Sequence, residues 1–293
     1  MVRQRINGEI AVIDETSAVS ERKLSMIYFI FFLICFTASA VGAICGIGGG
    51  VIIKPLLDAF DIMSVTTISF LSGCTVLSMS AYSVIKGRIS NEIHISKKTG
   101  LPLAIGSAAG GFIGKGIFTY LSEVFTDANR IGTIQAICLL MITVGTLLYT
   151  INKQKIKTYH IESFAFSIMI GAILGILSAF LGIGGGPINI VVLYFFYSMG
   201  TKEAVENSLY TIFFSQLVSL GASVITGKIP PFSYPVLFMM ILGGIGGGIL
   251  GRLWNKRIEE KKIERLFIGL MFFMILINIY NICQFGFGFT SAA

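Results

Sequence analysis

Seven stretches of this 293-residue chain run uncharged for long enough to cross a bilayer: residues 24–53, 62–85, 131–152, 163–201, 207–227, 229–251 and 266–293. An eighth, 101–121, is interrupted once, by Lys115. About 20 mostly apolar residues in a helix span the ~30 Å hydrocarbon core. In that solvent the chain must pair its own backbone polar groups, which leaves helices and closed barrels. The runs are rich in Gly, Phe and Ile and lack the alternation of barrel strands, so they predict helices. Charge content agrees: 13% of residues are charged, about half the share a soluble domain needs to face water. The expected protein is all-α and polytopic, crosses a cell's inner or plasma membrane several times, and has the lipid bilayer as its permanent partner.

Residues 1–25 form a polar N-terminal segment that mixes Arg3, Arg5, Arg22 and Lys23 with Glu9, Asp14, Glu15 and Glu21. No small-residue cleavage site follows the first apolar run, so that run is expected to stay as an uncleaved first span. The net charge of +7 does not imply nucleic acid. Its cations sit in short loops between spans, where membrane insertion places them, and no basic soluble domain exists to hold a polynucleotide. Cysteines 35, 45, 74, 138 and 283 lie singly in apolar runs with no C-x-x-C pair, as packing residues do. An enzyme is not expected. His94 and His160 fall in loops, and no metalloprotease, nucleophile-elbow or P-loop motif is present. No cofactor and no metal is expected.

The chain also repeats itself. Gly46-Ile47-Gly48-Gly49-Gly50 recurs as Gly182-Ile183-Gly184-Gly185-Gly186. Ser69-Phe70-Leu71 then faces Ser208-Leu209-Tyr210, and Gly87-Arg88-Ile89 faces Gly227-Lys228-Ile229. Pro102, Gly110, Gly111 and Gly114 match Pro235, Gly243, Gly244 and Gly247 at a constant offset of 133. Each half closes with an apolar helix ending near Tyr149 or Tyr280, and these five landmarks in one order divide the membrane region into a first repeat, 26–151, a basic linker, 152–160, and a second repeat, 161–293.

Lysine and arginine gather on the cytoplasmic side of membrane proteins. With four spans per half, cytoplasmic loops hold 12 of these residues against 8 outside. If residues 51–60 and 187–198 also cross, each half has five spans and the split becomes 14 against 6. An odd number of spans makes the halves inverted repeats. The uncharged run 163–201 supports this: as one helix its 39 residues would reach about 58 Å, nearly twice the core. Residues 51–60 are short for a crossing, and half of a re-entrant hairpin is the alternative. The expectation is two inverted repeats of about five hydrophobic segments, 8–10 spans in all, with glycine-broken segments.

The duplicated GIGGG is the central element. It follows an apolar run and not a strand, so it is no dinucleotide fingerprint. Three successive glycines in a membrane run break the helix and expose backbone N–H groups. The helix that restarts after them presents the positive end of its dipole. Two such breaks at equivalent places point to a transporter site near the midplane, whereas a single one would read as close helix packing. The candidate anion-binding residues are therefore Gly48, Gly49, Gly50, Gly184, Gly185 and Gly186.

Nearby hydroxyls and amides join them: Ser69 and Ser72 in the first half, Asn189, Asn207, Ser208 and Thr211 in the second. Thr66, Thr67, Thr75 and Gln216 are further polar residues of the same runs. Lys54 either attracts the anion or pairs with Asp58 one turn on. Lys115 either serves the anion or snorkels to the interface. Gly106, Gly110 and Gly114, and again Gly243, Gly247 and Gly251, are spaced by four and predict helix packing faces.

With these residues the chain resembles the TauE/SafE-type sulfite and sulfonate exporters, the toluene-sulfonate-uptake permease group. The resemblance rests on the paired GIGGG, on Pro55-Leu56-Leu57 after the first copy, on the Gly87–Ile89 and Gly227–Ile229 turns, and on the proline-then-glycine helices. It covers about residues 26–283 and implies a permease of sulfur oxoanions or organosulfonates. Two residues depart from the pattern: Lys54, where an apolar residue is expected, and Pro187, directly after the second triple glycine. The expected function is secondary transport, in the export direction, of a small anionic substrate such as sulfite, thiosulfate or sulfoacetate. An anion channel or a non-transporting scaffold is the alternative, and a homodimer is left open.

Overall fold

The computed structural model describes residues 25–90, 98–125 and 128–287. The polar N-terminal segment before residue 25, His94 and Lys97 lie outside them. Ten α-helices account for nearly all of the described chain. They are α1 (Ser25–Cys45), α2 (Gly50–Phe60), α3 (Val65–Ile89), α4 (Gly100–Val124), α5 (Ala128–Asn152), α6 (Phe164–Leu181), α7 (Pro187–Tyr197), α8 (Thr201–Ile225), α9 (Tyr234–Arg257) and α10 (Glu260–Phe287).

Eight of these are long and apolar enough to cross a membrane, so the chain is a multi-pass membrane protein. The other two, α2 and α7, have 11 residues each. At 1.5 Å per residue each reaches about 16 Å, half the core. The structure thus corrects the count in which 51–60 and 187–198 cross fully. Each half has four long helices and one half-length helix directly after its GIGGG.

Glycine faces set the packing. A methyl group at Gly106, Gly110 or Gly114 of α4 would strike the backbone of Ile168, Ala172 or Ile176 on α6. In return, Gly171 and Gly175 of α6 lie on Leu103 and Ser107 of α4. The second half mirrors this seam: Gly243, Gly247 and Gly251 of α9 lie on Phe32, Phe36 and Ala40 of α1. Backbones meet this closely only where side chains are absent, which is how helices associate in lipid. The glycine stripes predicted as packing faces are packing faces.

Residue numbers rise together along both seams, so α4 runs parallel to α6 and α9 parallel to α1. Gly244 on Thr75 and Gly248 on Met79 make α9 parallel to α3 as well. Hence α1 and α3 point the same way, and α2 carries the chain back between them. By contrast α3 and α8 are antiparallel, with Gly73 against Gln216 and Arg88 bonded to Tyr210. So are α5 and α10, with Gly132 on Phe285 and Lys153 paired with Glu264.

The bundle is apolar outside, and its largely apolar interior also buries polar side chains. Ile105, Phe112, Phe272 and Leu276 are exposed, while Ser39, Ser72, Thr75, Ser80, Ser107 and Asn207 are buried. Most of these hydroxyls donate to a carbonyl one turn back, as Thr75 does to Leu71 at 2.9 Å and Ser80 to Val76 at 2.8 Å. Of the cysteines, Cys35 and Cys45 are buried, Cys74 and Cys138 half-buried and Cys283 exposed, all as free thiols.

Candidate functional site

The two GIGGG loops meet in the middle of the bundle. Gly50 sits against the carbonyl of Ile183 so closely that no Cβ fits. A Cβ on Gly48 would lie 3.8 Å from the carbonyl oxygen of Gly184, and one on Gly185 3.4 Å from that of Ile47. Gly48 and Gly184 take the same left-handed conformation, φ +78° and +72°, which L-residues rarely adopt. Val76 of α3 and Ile212 of α8 wall the junction, touching Gly48 and Gly184 or Gly185. Gly46 to Gly50 and Ile183 to Gly186 are buried, so both loops are closed off from either end of the molecule.

Backbone donors at this junction have no acceptor. Ile47 donates to Gly42, and Ile52 and Ile53 to Gly49. Among the described residues, the N–H groups of Gly48, Gly49, Gly50 and Val51 make no hydrogen bond, and neither do those of Gly184, Gly185, Gly186 and Ile188. Buried amides left this way are rare in folded proteins. Here they lie on two touching loops at the N-termini of α2 and α7, where the helix dipoles add positive potential. The arrangement suits an anion: backbone donors at two helix N-termini, no carboxylate at the loops among the described residues, and burial of the loops within the bundle.

The side chains singled out from sequence divide into two groups. Ser208 donates to the carbonyl of Gly46. In the matching place Ser69 lies beside Gly182, but its hydroxyl has no partner. The Ser72 hydroxyl and the side-chain oxygens of Asn189 and Asn207 are likewise buried and unpartnered. The Asn207 amide nitrogen donates to Glu203 at 3.0 Å, and Thr211 donates to Asn207 at 2.8 Å. Thr66 and Thr67 are not near the loops: they close the start of α3, Thr66 against Ser64 and Thr67 on the carbonyl of Pro231.

Lys54 is engaged by Asp58 at 2.6 Å, with the two side chains 3% and 6% exposed. Of the two sequence readings, the structure has the neutralised pair. Lys115 is half-buried, with its ammonium 5.0 Å from the Phe118 ring centre.

Sequence reasoning missed three residues of the junction. Ser39 of α1 is fully buried against Gly49, with its hydroxyl unpartnered. Val76 and Ile212 supply the apolar wall. Ser39 could have been suspected as one of the few hydroxyls in the first apolar run, three turns before Gly49. Nothing marks Val76 or Ile212 among dozens of similar residues.

Comparison with known proteins points the same way. The sequence profile of the family described as sulfite exporter TauE/SafE matches residues 31–277. The probable membrane transporter protein YunE of Bacillus subtilis is 26% identical over 259 residues, covering 81% of this chain and 92% of its own. A probable membrane transporter protein of Methanocaldococcus jannaschii is 26% identical over 272 residues, covering 84% and 95%. A Xylella fastidiosa protein of the same description is 26% identical over 252 residues, covering 83% and 90%. No solved structure matches the chain.

Proposed function

The chain belongs to the TauE/SafE sulfite exporter family, and we propose that it is a secondary transporter that exports a small anion, a sulfur oxoanion or organosulfonate, through a site at its paired GIGGG loops. The observation that carries this reading is the set of unpaired buried amides on two touching loops. A desolvated oxoanion can take several such hydrogen bonds at once, and charge-assisted ones are about twice as strong as neutral ones. Ser69 beside Gly182 and Ser39 beside Gly49 add hydroxyl donors at the loops, and Ser72 lies one turn along α3 from Ser69.

Two inverted repeats provide the motion. The helices matched by the sequence repeat, α3 with α8 and α5 with α10, run antiparallel, which supports the inversion. Alternating access then follows from rocking one half against the other about the junction. The closed loops described above correspond to an occluded intermediate.

The loops also sort by charge. One end gathers Lys153, Lys155, Lys157, Lys202, Lys256 and Arg257. The other, at residues 60–64, 128–130 and 226–233, has Arg130 and Lys228 as the cations of those three stretches. By the positive-inside rule the first end is cytoplasmic, in a cell's inner or plasma membrane. An anion leaving a negative-inside cell gains about 2.3 kcal/mol per charge at 100 mV. Export of a dianion therefore gains about 4.6 kcal/mol with no coupling ion, which favours that direction.

The test is uptake of labelled sulfite, thiosulfate, sulfate and small sulfonates into proteoliposomes loaded with unlabelled anion. Saturable uptake, accelerated by anion on the opposite side, is expected for at least one sulfur anion. Non-saturable flux would instead identify an anion channel. Absence of flux for every anion tried would remove the transport reading.

A further inference from the structure

Away from the junction, two cavities of about 270 and 280 Å³ flank the C-terminal half of α4. Lys115, Thr119, Glu123 and Lys228 line both. Thr226 joins them in one and Thr66 in the other. At about 30 Å³ per water, each holds a small ion with part of its hydration shell.

The charges in these cavities do not cancel. Lys228 pairs with Glu123, and both are at least half exposed. Lys115 makes no ion pair among the described residues, although it is two turns inside the end of a membrane helix. Its ammonium rests on the Phe118 ring, a weak partner for a cation held at that depth. Two ammonium groups and one carboxylate therefore line these cavities together with Thr119 and with Thr226 or Thr66.

The position connects the space to the loops. Gly111, one turn before Lys115, packs on Ser215 of α8, whose hydroxyl is buried and unpartnered. Ser215 is one turn from Ile212 on α8, and Ile212 touches Gly48 and Gly185.

We propose that Lys115, with Lys228, forms an anion-collecting vestibule at this end of the molecule, which takes small oxoanions and sulfonates and hands them to, or receives them from, the GIGGG junction. The proposal deepens the transport reading and rests on it for the passage of the anion; the vestibule's binding of anions can be read separately. Lys115 is the residue that confers charge selectivity, and Lys228, partly neutralised by Glu123, widens the field toward solvent.

The experiment uses the purified full-length protein with its five cysteines replaced and Thr119→Cys introduced. Labelling rates are measured with an anionic and a cationic methanethiosulfonate of similar size, each normalised to a free thiol. The normalised anionic rate is expected to exceed the cationic one by about tenfold or more. Lys115→Gln should bring the ratio close to one, Lys115→Arg should keep it, and added ethanesulfonate should slow anionic labelling. Equal rates for the two reagents, or a preference unchanged by Lys115→Gln, would overturn the vestibule. Charge-selective labelling in a protein with no flux would leave the vestibule standing and remove only the transport reading.

Discussion

At the scale of the residue, glycine and the buried ion pair decide most. Gly185 has φ +146° and its Cβ would overlap the Ile212 side chain. A leucine there meets both backbone strain of about 1–3 kcal/mol and a steric clash at the junction. Gly185→Leu is therefore expected to abolish anion flux. Gly145→Ala is the matched control: a methyl group there finds nothing within 4 Å, and flux and thermal stability should both match wild type. The Lys54–Asp58 pair gives a second prediction. Asp58→Asn leaves an ammonium buried without its counter-charge, which costs about 3–5 kcal/mol. The variant should melt well below wild type in detergent. Replacing both partners together, Lys54→Met with Asp58→Leu, should recover most of that loss. A double variant as unstable as the single one would show that the pair has partners beyond itself.

At the scale of the element, the seams of α4 on α6 and of α9 on α1 hold the halves together. Gly110→Leu forces a side chain into the backbone of Ala172. Overpacking costs about 1–3 kcal/mol where neighbours can shift, and two helix backbones shift poorly. A lowered unfolding temperature is expected, with a larger drop than for Gly145→Ala, which has open space. An unchanged unfolding temperature would mean that the seam is not close-packed in the membrane.

Sequence spacing revealed these stripes, because residues four apart share a helix face. It did not reveal their partners, since α4 packs on α6 across the linker and not on its chain neighbour. The short helices were legible in part. Triple glycine marks where they start, but only length in space, about 16 Å, shows that neither crosses. The Lys54–Asp58 pair was readable from its i, i+4 spacing. Ser39, Val76 and Ile212 were not, because their role comes from which helix lies opposite.

At the scale of the whole molecule, the repeat was the most informative feature of the sequence. Matched landmarks gave the two halves, and antiparallel packing of matched helices fits their inversion. This makes a topological prediction. Cysteines placed at Lys256 and at Lys228, in a chain otherwise free of cysteine, should label from opposite sides of the membrane. The one at 228 should react in intact cells, and the one at 256 only after permeabilisation. Labelling of both from one side would rule out inverted halves.

The central claim is that the paired loops are the transport site. It is tested most directly by counterflow of a labelled sulfur anion in proteoliposomes, with wild type, Gly185→Leu and Gly145→Ala measured side by side. The account predicts saturable counterflow in wild type and Gly145→Ala, and none in a folded Gly185→Leu protein. Undiminished counterflow in Gly185→Leu would contradict it and place the path of the anion elsewhere in the bundle.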